Sequence, residues 1–221
     1  HYQTYLMKEV LGMNPLLVAV SDPFTHTEAG EHNLKNLSEA FDCDYQVVYV
    51  SVSTTREMMR VAFEEFGSPT WPIDRAIYCA PIQVGIEKEI PLIVYGENTA
   101  WEYGGVLYDH DDEEPYSAID QVKNDVAKPV DFDLWYENGV TDEQLNLMRY
   151  PSMDEVVSVD LEPIYLSYFR PWDGYKNYRI ANNYGFRTIQ GEWDRAGYIE
   201  SYDQVDSIGY LMNVWMKYPK M

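Results

Sequence analysis

The richest set of chemically active side chains follows the apolar run at residues 90–95. Gly96, Glu97 and Asn98 come directly after that run, and Glu102 and Tyr103 follow a few residues later. In open α/β sheets, ligands bind just beyond the carboxyl ends of the strands. A glycine-bearing polar loop at that point predicts a binding site, and a strand followed by an ordinary turn is the alternative.

Two further groups carry the same kind of chemistry. Val20, Ser21 and Asp22 end a predicted strand at residues 16–20, and Asp203 and Asp206 lie at the start of a predicted helix at residues 204–216. Backbone N–H groups at such positions bind phosphate, and carboxylates bind magnesium. The three groups together predict a nucleotide site, with helix capping as the alternative role for the two aspartates.

The elements that must position these groups alternate along the first half of the chain. Helical and strand periodicities predict helices at 1–11, 29–41, 54–66 and 73–88 and strands at 16–20, 46–50 and 90–95. This βαβ order is typical of a parallel sheet. We predict an α/β fold with a nucleotide-binding domain at residues 1–105, followed at residues 106–221 by a substrate-binding, largely helical C-terminal part of the same domain. That part includes predicted helices at 141–148 and 174–184 and a strand at 164–169.

The charge balance restricts the partners. The 221 residues include 16 Lys and Arg against 37 Asp and Glu, a net charge of −21. Because nucleic-acid binding depends on basic side chains that neutralise phosphates, we expect no nucleic-acid partner. The acidic run at residues 109–114 is interpreted as a solvated loop, and no metal site of protein ligands alone is predicted.

The cysteines and the apolar runs indicate the compartment. Cys43 and Cys79 are too few and too far apart for a disulfide framework, and buried free thiols fit a reducing cytoplasm. No apolar run reaches the roughly 18–20 residues that span a bilayer, so we expect no membrane insertion.

Several spaced motifs resemble one known family, the N-acetyl sugar amidotransferases. The resemblance covers nearly the whole chain and is weakest at residues 106–161. The motifs, in chain order, are His-Tyr-Gln-Thr-Tyr at 1–5, Gly-Met-Asn-Pro-Leu-Leu-Val at 12–18, His-Asn-Leu-Lys-Asn-Leu at 32–37, Ile-Pro-Leu-Ile at 90–93, Gly-Glu-Asn at 96–98, Glu-Tyr-Gly-Gly at 102–105, Trp-Asp at 172–173, Tyr-Gly-Phe at 184–186 and Tyr-Asp-Gln-Val-Asp-Ser-Ile-Gly-Tyr-Leu at 202–211.

The resemblance implies an ATP pyrophosphatase of the PP-loop type with a Rossmann-like nucleotide hydrolase fold. Such an enzyme transfers AMP from ATP to the oxygen of a sugar N-acetyl group, and ammonia then displaces AMP to give an acetamidino sugar. The implied cofactors are ATP and Mg²⁺. The implied partners are an N-acetylated, nucleotide-linked sugar of bacterial surface-polysaccharide synthesis and a glutaminase-type subunit that supplies ammonia.

The resemblance also suggests roles for individual residues. Val20, Ser21, Asp22, Gly96 and Asn98 are expected to bind the nucleotide. The expected catalytic residues, as magnesium or substrate ligands, are Glu97, Asp203 and Asp206, and the expected sugar-binding residues are Trp71, Arg75, Glu102 and Tyr103.

Two departures from the family pattern limit these expectations. The phosphate loop of the family, a Ser-Gly-Gly-Lys-Asp-Ser type segment, and the first strand that carries it are missing before the helix at residue 1. We therefore expect a fragment that is inactive and poorly stable alone.

Thr70 and Ile73 stand where the family often has two cysteines around Trp71 and Pro72. For Arg75, binding of an anionic sugar group and a surface ion pair are equally open.

Two other functions remain possible on the sequence alone. One is a relative without catalytic activity that binds a sugar or a partner protein. The other is a different PP-loop enzyme, such as a tRNA thiolase, although the net charge of −21 opposes tRNA binding.

Overall fold

A computed structural model describes residues 1–24, 26–96, 117–119, 130–189 and 201–207. Helices and short strands alternate through the first half of the chain, and short helices dominate the second. In chain order the described elements are α1 (Tyr2–Tyr5), a π-helical turn (Leu6–Val10), β1 (Leu17–Ser21), α2 (Glu28–Phe41), β2 (Tyr45–Tyr49), α3 (Val52–Phe66), α4 (Trp71–Glu87), β3 (Leu92–Tyr95), α5 (Asp133–Glu137), α6 (Asp142–Leu145), a 3₁₀ turn (Asn146–Met148), α7 (Met153–Ser158), β4 (Glu162–Tyr165), α8 (Leu166–Phe169) and α9 (Gly174–Asn183).

The described strands form two separate pairs. β1 pairs with β2, and β3 pairs with β4. The second pair is parallel, with Leu92 opposite Glu162 and Tyr95 opposite Tyr165. The prediction of a mixed helix and strand fold with parallel pairing is confirmed at this level.

Local sequence signals explain most of the helices. α2 begins after Thr27, whose hydroxyl accepts a hydrogen bond from the Gly30 amide. α6 begins after Thr141, and α7 begins after Ser152; each has a complete capping box. Such caps satisfy backbone N–H groups that have no partner inside the helix. The predicted helices at 29–41, 73–88 and 174–184 are confirmed as α2, α4 and α9 within two residues at each end.

Two predicted elements differ from the structure. The strand expected at residues 164–169 is instead β4, which ends at Tyr165 and continues directly into the helical turn α8. Tyr165 pairs with Tyr95, the last residue of β3, so the described pairing of the two strands ends at this position. The helix expected from residue 204 does not begin there, because Gln204 has a left-handed backbone with φ 48° and Ser207 forms an isolated β-bridge with His26. Residues after Ser207 lie outside the described residues.

The chain divides into two compact units. Unit 1 comprises His1–Leu17, Phe24–Gln46 and Trp172–Met221. Within it, α1 contacts α2 and α9, and Phe41 stacks on Tyr184 with ring centroids 4.5 Å apart. Ala29, Ile189 and Val205 form a small buried apolar cluster beside the start of α2.

Unit 2 comprises Val18–Pro23 and Val47–Pro171 and contains two larger apolar clusters. The first, here called the tyrosine cluster, joins α4 to the β3–β4 pair. Its buried members are Tyr78, Ile82, Tyr95, Ala118, Val156, Leu161 and Tyr165. The second, here called the tryptophan cluster, joins α3 and α4 to the segment after residue 134. Its buried members are Met58, Val61, Ala62, Trp71, Trp135, Val140, Leu145 and Met148.

Three further predictions concern cysteines, membrane and domains. Cys43 and Cys79 are both buried, as expected of small apolar groups, and neither forms a disulfide. Among the described helices, none combines the length and the apolar composition that a membrane crossing needs. The predicted division after residue 105 falls outside the described residues and stays a prediction.

Candidate functional site

The strand-end residues lie where the sequence predicts them. Val20 and Ser21 are the last two residues of β1, and Asp22 follows them; all three are partly buried. Gly96 follows the last residue of β3 and is also partly buried. Because β1 and β3 belong to different strand pairs among the described strands, the structure does not join these two groups by a hydrogen-bonded sheet. Glu97 and Asn98 lie outside the described residues.

Trp71 and Arg75 lie on the first turns of α4 and are buried. Trp71 is 0% exposed, and its ring centroid lies 4.7 Å from that of Trp135. Arg75 is 1% exposed; its Nε donates a 2.8 Å hydrogen bond to the main-chain oxygen of Met148, and its guanidinium lies 4.5 Å from the ring centroid of Tyr150. Neither side chain faces solvent in this structure, so Arg75 does not lie on the surface. The other two predicted sugar ligands, Glu102 and Tyr103, lie outside the described residues.

Asp203 and Asp206 lie in unit 1 on a short loop and are both exposed. Gln204, between them, adopts a left-handed backbone with φ 48°. Backbone strain of this kind in a non-glycine residue is sparse in proteins and collects at ligand-binding loops. The aspartates therefore do not cap a helix at residue 204; they project from an irregular loop, here called the acidic loop, residues 203–207.

The start of α2 holds the acidic loop. The Thr27 amide donates a 3.1 Å hydrogen bond to the main-chain oxygen of Asp206, and the Thr27 hydroxyl donates one to the main-chain oxygen of Val205. His26 and Ser207 form an antiparallel bridge next to these bonds. Thr27, which precedes α2, is thus attached to the acidic loop.

The acidic loop also lies near the start of α1. The Asp206 carboxylate lies close enough to residue 1 to interact with it electrostatically. The His1 side chain is held in the same region, with its Nε2 2.8 Å from Oδ1 of Asn36. Unit 1 thus brings one predicted catalytic carboxylate near His1, the residue that precedes α1.

The donors in unit 1 fit a magnesium ion that is shared with phosphate oxygens. Magnesium in nucleotide sites is bound through one or two carboxylates, and water and substrate phosphates complete its shell. Asp203 and Asp206 supply two carboxylates on one exposed loop. Among the described residues, no group of three or more His, Cys, Asp and Glu side chains can hold a metal without such help.

Sequence reasoning missed the contacts of Thr27 and Gly30 with the acidic loop. A hydroxyl residue just before a predicted helix is a signal for a helix cap and identifies Thr27 in that role. Its contact with Val205 spans 178 residues of chain, and no local pattern indicates such a pairing. Comparison with known proteins adds no assignment, since no protein-family model matches this chain and no curated protein is significantly similar to it.

Proposed function

We propose that this chain is the body of an ATP-dependent amidotransferase of the PP-loop pyrophosphatase type. In the proposed reaction, the oxygen of a sugar N-acetyl group attacks the α-phosphorus of ATP and pyrophosphate leaves. Ammonia then adds to the activated carbon and AMP leaves with that oxygen, which gives an acetamidino sugar. The amide oxygen is a poor leaving group, and the transfer of AMP to it makes it a good one. This is why the reaction consumes ATP.

The observation that carries the proposal is the position of the acidic loop in unit 1. Asp203 and Asp206 are exposed, and the main-chain oxygen of Asp206 accepts a hydrogen bond from the Thr27 amide at the start of α2. A helix start favours phosphate, and carboxylates beside it favour the accompanying magnesium. The motif resemblance supplies the specific reaction.

The strand pairing supports a finer fold, which we propose as a Rossmann-like parallel sheet with a C-terminal helical extension. β1–β2 and β3–β4 are separate pairs among the described strands. Buried strand edges with unpaired N–H and C=O groups are costly, so a further strand between β1 and β3 would satisfy both edges and unite the pairs. The family's phosphate-loop strand occupies that place in the proposed fold.

The proposed partners follow from the same chemistry. The acceptor is an N-acetylated, nucleotide-linked sugar of surface-polysaccharide synthesis, and ammonia comes from a glutaminase-type subunit. The two buried free thiols fit a cytoplasmic enzyme that works where ATP is plentiful.

The test uses the protein expressed from its complete reading frame. Pyrophosphate release is measured with ATP, magnesium, ammonium and a series of nucleotide-linked N-acetyl sugars. We expect release to require both the sugar and ammonium. We also expect Asp206→Asn to reduce turnover by about 100-fold or more, since an electrostatic ligand of the reacting phosphates is lost. Asp44→Asn, an exposed acid in the same unit, is the matched control and should retain full activity.

Two results would count against the proposal. One is the absence of sugar-dependent pyrophosphate release across the whole series. The other is an Asp206→Asn enzyme with unchanged turnover. Binding of a sugar without any turnover would favour the non-catalytic alternative.

A further inference from the structure

We propose that Thr27 and Gly30 are positioning residues for Asp206. They fix the main chain of the acidic loop against the first turn of α2, and the loop in turn sets the direction of the Asp206 carboxylate. This inference rests on the proposed role of Asp206 as a magnesium or substrate ligand, and it adds two residues to which neither motif nor composition gives a function.

Thr27 connects helix and loop through its hydroxyl and its amide. Its hydroxyl accepts a 2.8 Å hydrogen bond from the Gly30 amide and donates a short one to the main-chain oxygen of Val205. Its own amide donates a 3.1 Å bond to the main-chain oxygen of Asp206. The residue is 3% exposed, so water does not compete for these bonds. The same hydroxyl therefore caps α2 and anchors the residue before Asp206.

Gly30 provides the space that this arrangement needs. A Cβ atom at Gly30 would lie 2.7 Å from Cα and 2.9 Å from the carbonyl carbon of Asp206, and closer still to its carbonyl oxygen. These are main-chain atoms, so no side-chain rotation can relieve the overlap. Any larger residue must push the Asp206 backbone away from α2. The φ of Gly30 is not positive, so the backbone conformation does not require glycine. The close approach of the Asp206 main chain does.

The loop carries unfavourable features that require such support. Gln204 has a left-handed backbone with φ 48°. The Ser207 hydroxyl is 0% exposed and has no hydrogen-bond partner among the described residues. Both features cost free energy and persist only where neighbouring contacts determine the conformation. The contacts of Thr27 and Gly30 are among those that hold the acidic loop.

Apolar packing holds the same region independently of the hydrogen bonds. Ala29 and Val205 are buried together with Ile189, next to the Thr27 contacts. Substitution of the Thr27 hydroxyl therefore leaves the loop attached to α2 while its precise position is lost. This separation makes the proposal testable in a folded protein.

The experiment compares Thr27→Val with Thr27→Ser in the complete protein, alone and combined with Asp206→Asn. We expect Thr27→Val to lower the rate of pyrophosphate release by about 10- to 100-fold, since small displacements of a catalytic group have effects of this size. Thr27→Ser, which keeps the hydroxyl, should stay within about 3-fold of wild type. In the Asp206→Asn background, Thr27→Val should cause almost no further loss, because a positioning residue acts only through the group that it positions.

A second measurement does not depend on turnover. Gly30→Ala is compared with Gly174→Ala, which also places a methyl group in the first turn of a helix but meets its nearest atom at 3.7 Å. We expect amide hydrogen exchange in residues 201–207 to rise at least about 10-fold in Gly30→Ala and to stay unchanged in Gly174→Ala.

The two measurements separate the two proposals. If wild type releases no pyrophosphate while Gly30→Ala still loosens residues 201–207, the proposed function fails and the positioning contact stands. Equal effects of Thr27→Val and Thr27→Ser, full additivity with Asp206→Asn, or unchanged exchange in Gly30→Ala would overturn the positioning proposal.

Discussion

The phenolic hydroxyl of Tyr95 donates a 2.6 Å hydrogen bond to the main-chain oxygen of Tyr78, 17 residues earlier in the chain. Tyr95 is the last residue of β3, and Tyr78 lies in α4. Both belong to the tyrosine cluster of unit 2. Because Gly96 follows directly, this bond fixes the point at which the chain leaves β3 for the predicted nucleotide loop.

Removal of this hydroxyl should destabilise the protein. We expect Tyr95→Phe to lower the free energy of unfolding by about 1–2 kcal/mol, because the buried carbonyl of Tyr78 loses a partner. Urea denaturation at neutral pH measures the change. Tyr45→Phe is the control, since Tyr45 is 54% exposed and its substitution should have almost no effect. Equal midpoints for the two variants would contradict the prediction.

The same residue predicts a change in stability at alkaline pH. Burial, with smaller contributions from neighbouring Tyr150, Cys79 and Tyr165, raises the pKa of Tyr95 well above 10.0. A raised pKa in the folded state means that the contribution is fully present below the unfolded pKa and is lost as the pH rises toward the folded pKa. Above pH 10, wild type should therefore lose stability relative to Tyr95→Phe by up to about 1.4 kcal/mol per pH unit. Urea midpoints of both proteins from pH 8 to pH 11 test this, and parallel curves would refute it.

Local patterns in the sequence suffice for most of the first half of the fold. Helical periodicity and a capping residue mark α2, and a short apolar run marks β3, so both are predicted within two residues. Local patterns do not show where the pairing of two strands ends, so they do not predict that β4 ends at Tyr165. Nor do they show that Gln204 adopts a left-handed backbone.

The candidate site also has parts that local sequence patterns predict and parts that they do not. Strand ends are local features, and the predicted residues of β1 and β3 do lie there. The burial of Arg75 is not a local feature. Most residues of α4 are apolar, so its sequence alone predicts that a charged residue within it binds a ligand or lies on the surface. The contact of Thr27 with Val205 depends on the whole fold, since 178 residues separate the two.

A close approach at Gly85 predicts the effect of a small substitution. A Cβ atom there would lie 2.6 Å from Cδ1 of Ile93 and 3.1 Å from the main-chain oxygen of Ile90. We expect Gly85→Ala to cost about 1–3 kcal/mol through overpacking of α4 against β3, more than the roughly 0.5–1 kcal/mol that alanine gains over glycine in a helix. Thermal or urea unfolding measures the difference. An increase in stability would show that β3 can move away from α4 without loss.

The two capping boxes predict a pH-dependent difference between otherwise similar helices. The Ser152 hydroxyl and amide both donate hydrogen bonds to Glu155 and hold the pKa of its carboxylate below 4.5. A lowered pKa in the folded state gives stability that is present above the unfolded pKa and is lost as the pH falls through the folded pKa. The Thr141 box has Gln144 in place of the acid and cannot titrate.

We therefore expect Ser152→Ala and Thr141→Ala each to cost about 1 kcal/mol at pH 7. Between pH 5 and about pH 3, the cost of Ser152→Ala should shrink as Glu155 becomes protonated, and the cost of Thr141→Ala should stay constant. Urea midpoints across this range decide the matter. If both costs change alike with pH, the Glu155 bond is not the cause.

Arg75 provides the sharpest test of a structural against a ligand-binding role. Its side chain is 1% exposed, donates a 2.8 Å bond to the main-chain oxygen of Met148 and packs 4.5 Å from the ring centroid of Tyr150. Lysine offers neither the planar face nor the Nε donor. We expect Arg75→Lys to lower the free energy of unfolding by about 2–4 kcal/mol, since it removes a buried hydrogen bond from a charged donor and a cation–π contact.

Arg60→Ala is the matched control for this loss of a cation interaction. Arg60 lies on the surface of α3 with ion pairs to Glu57 and Glu64, and its side chain is 49% exposed. Exposed pairs of this kind contribute about 0–1 kcal/mol, so the control should unfold almost as wild type does. Urea denaturation and the KM for the sugar are measured on both variants. A raised KM with unchanged stability in Arg75→Lys would contradict the structural role and place this guanidinium at the sugar. A large loss of stability with unchanged KM in the folded enzyme would mean that Arg75 stabilises α4 and does not bind the sugar.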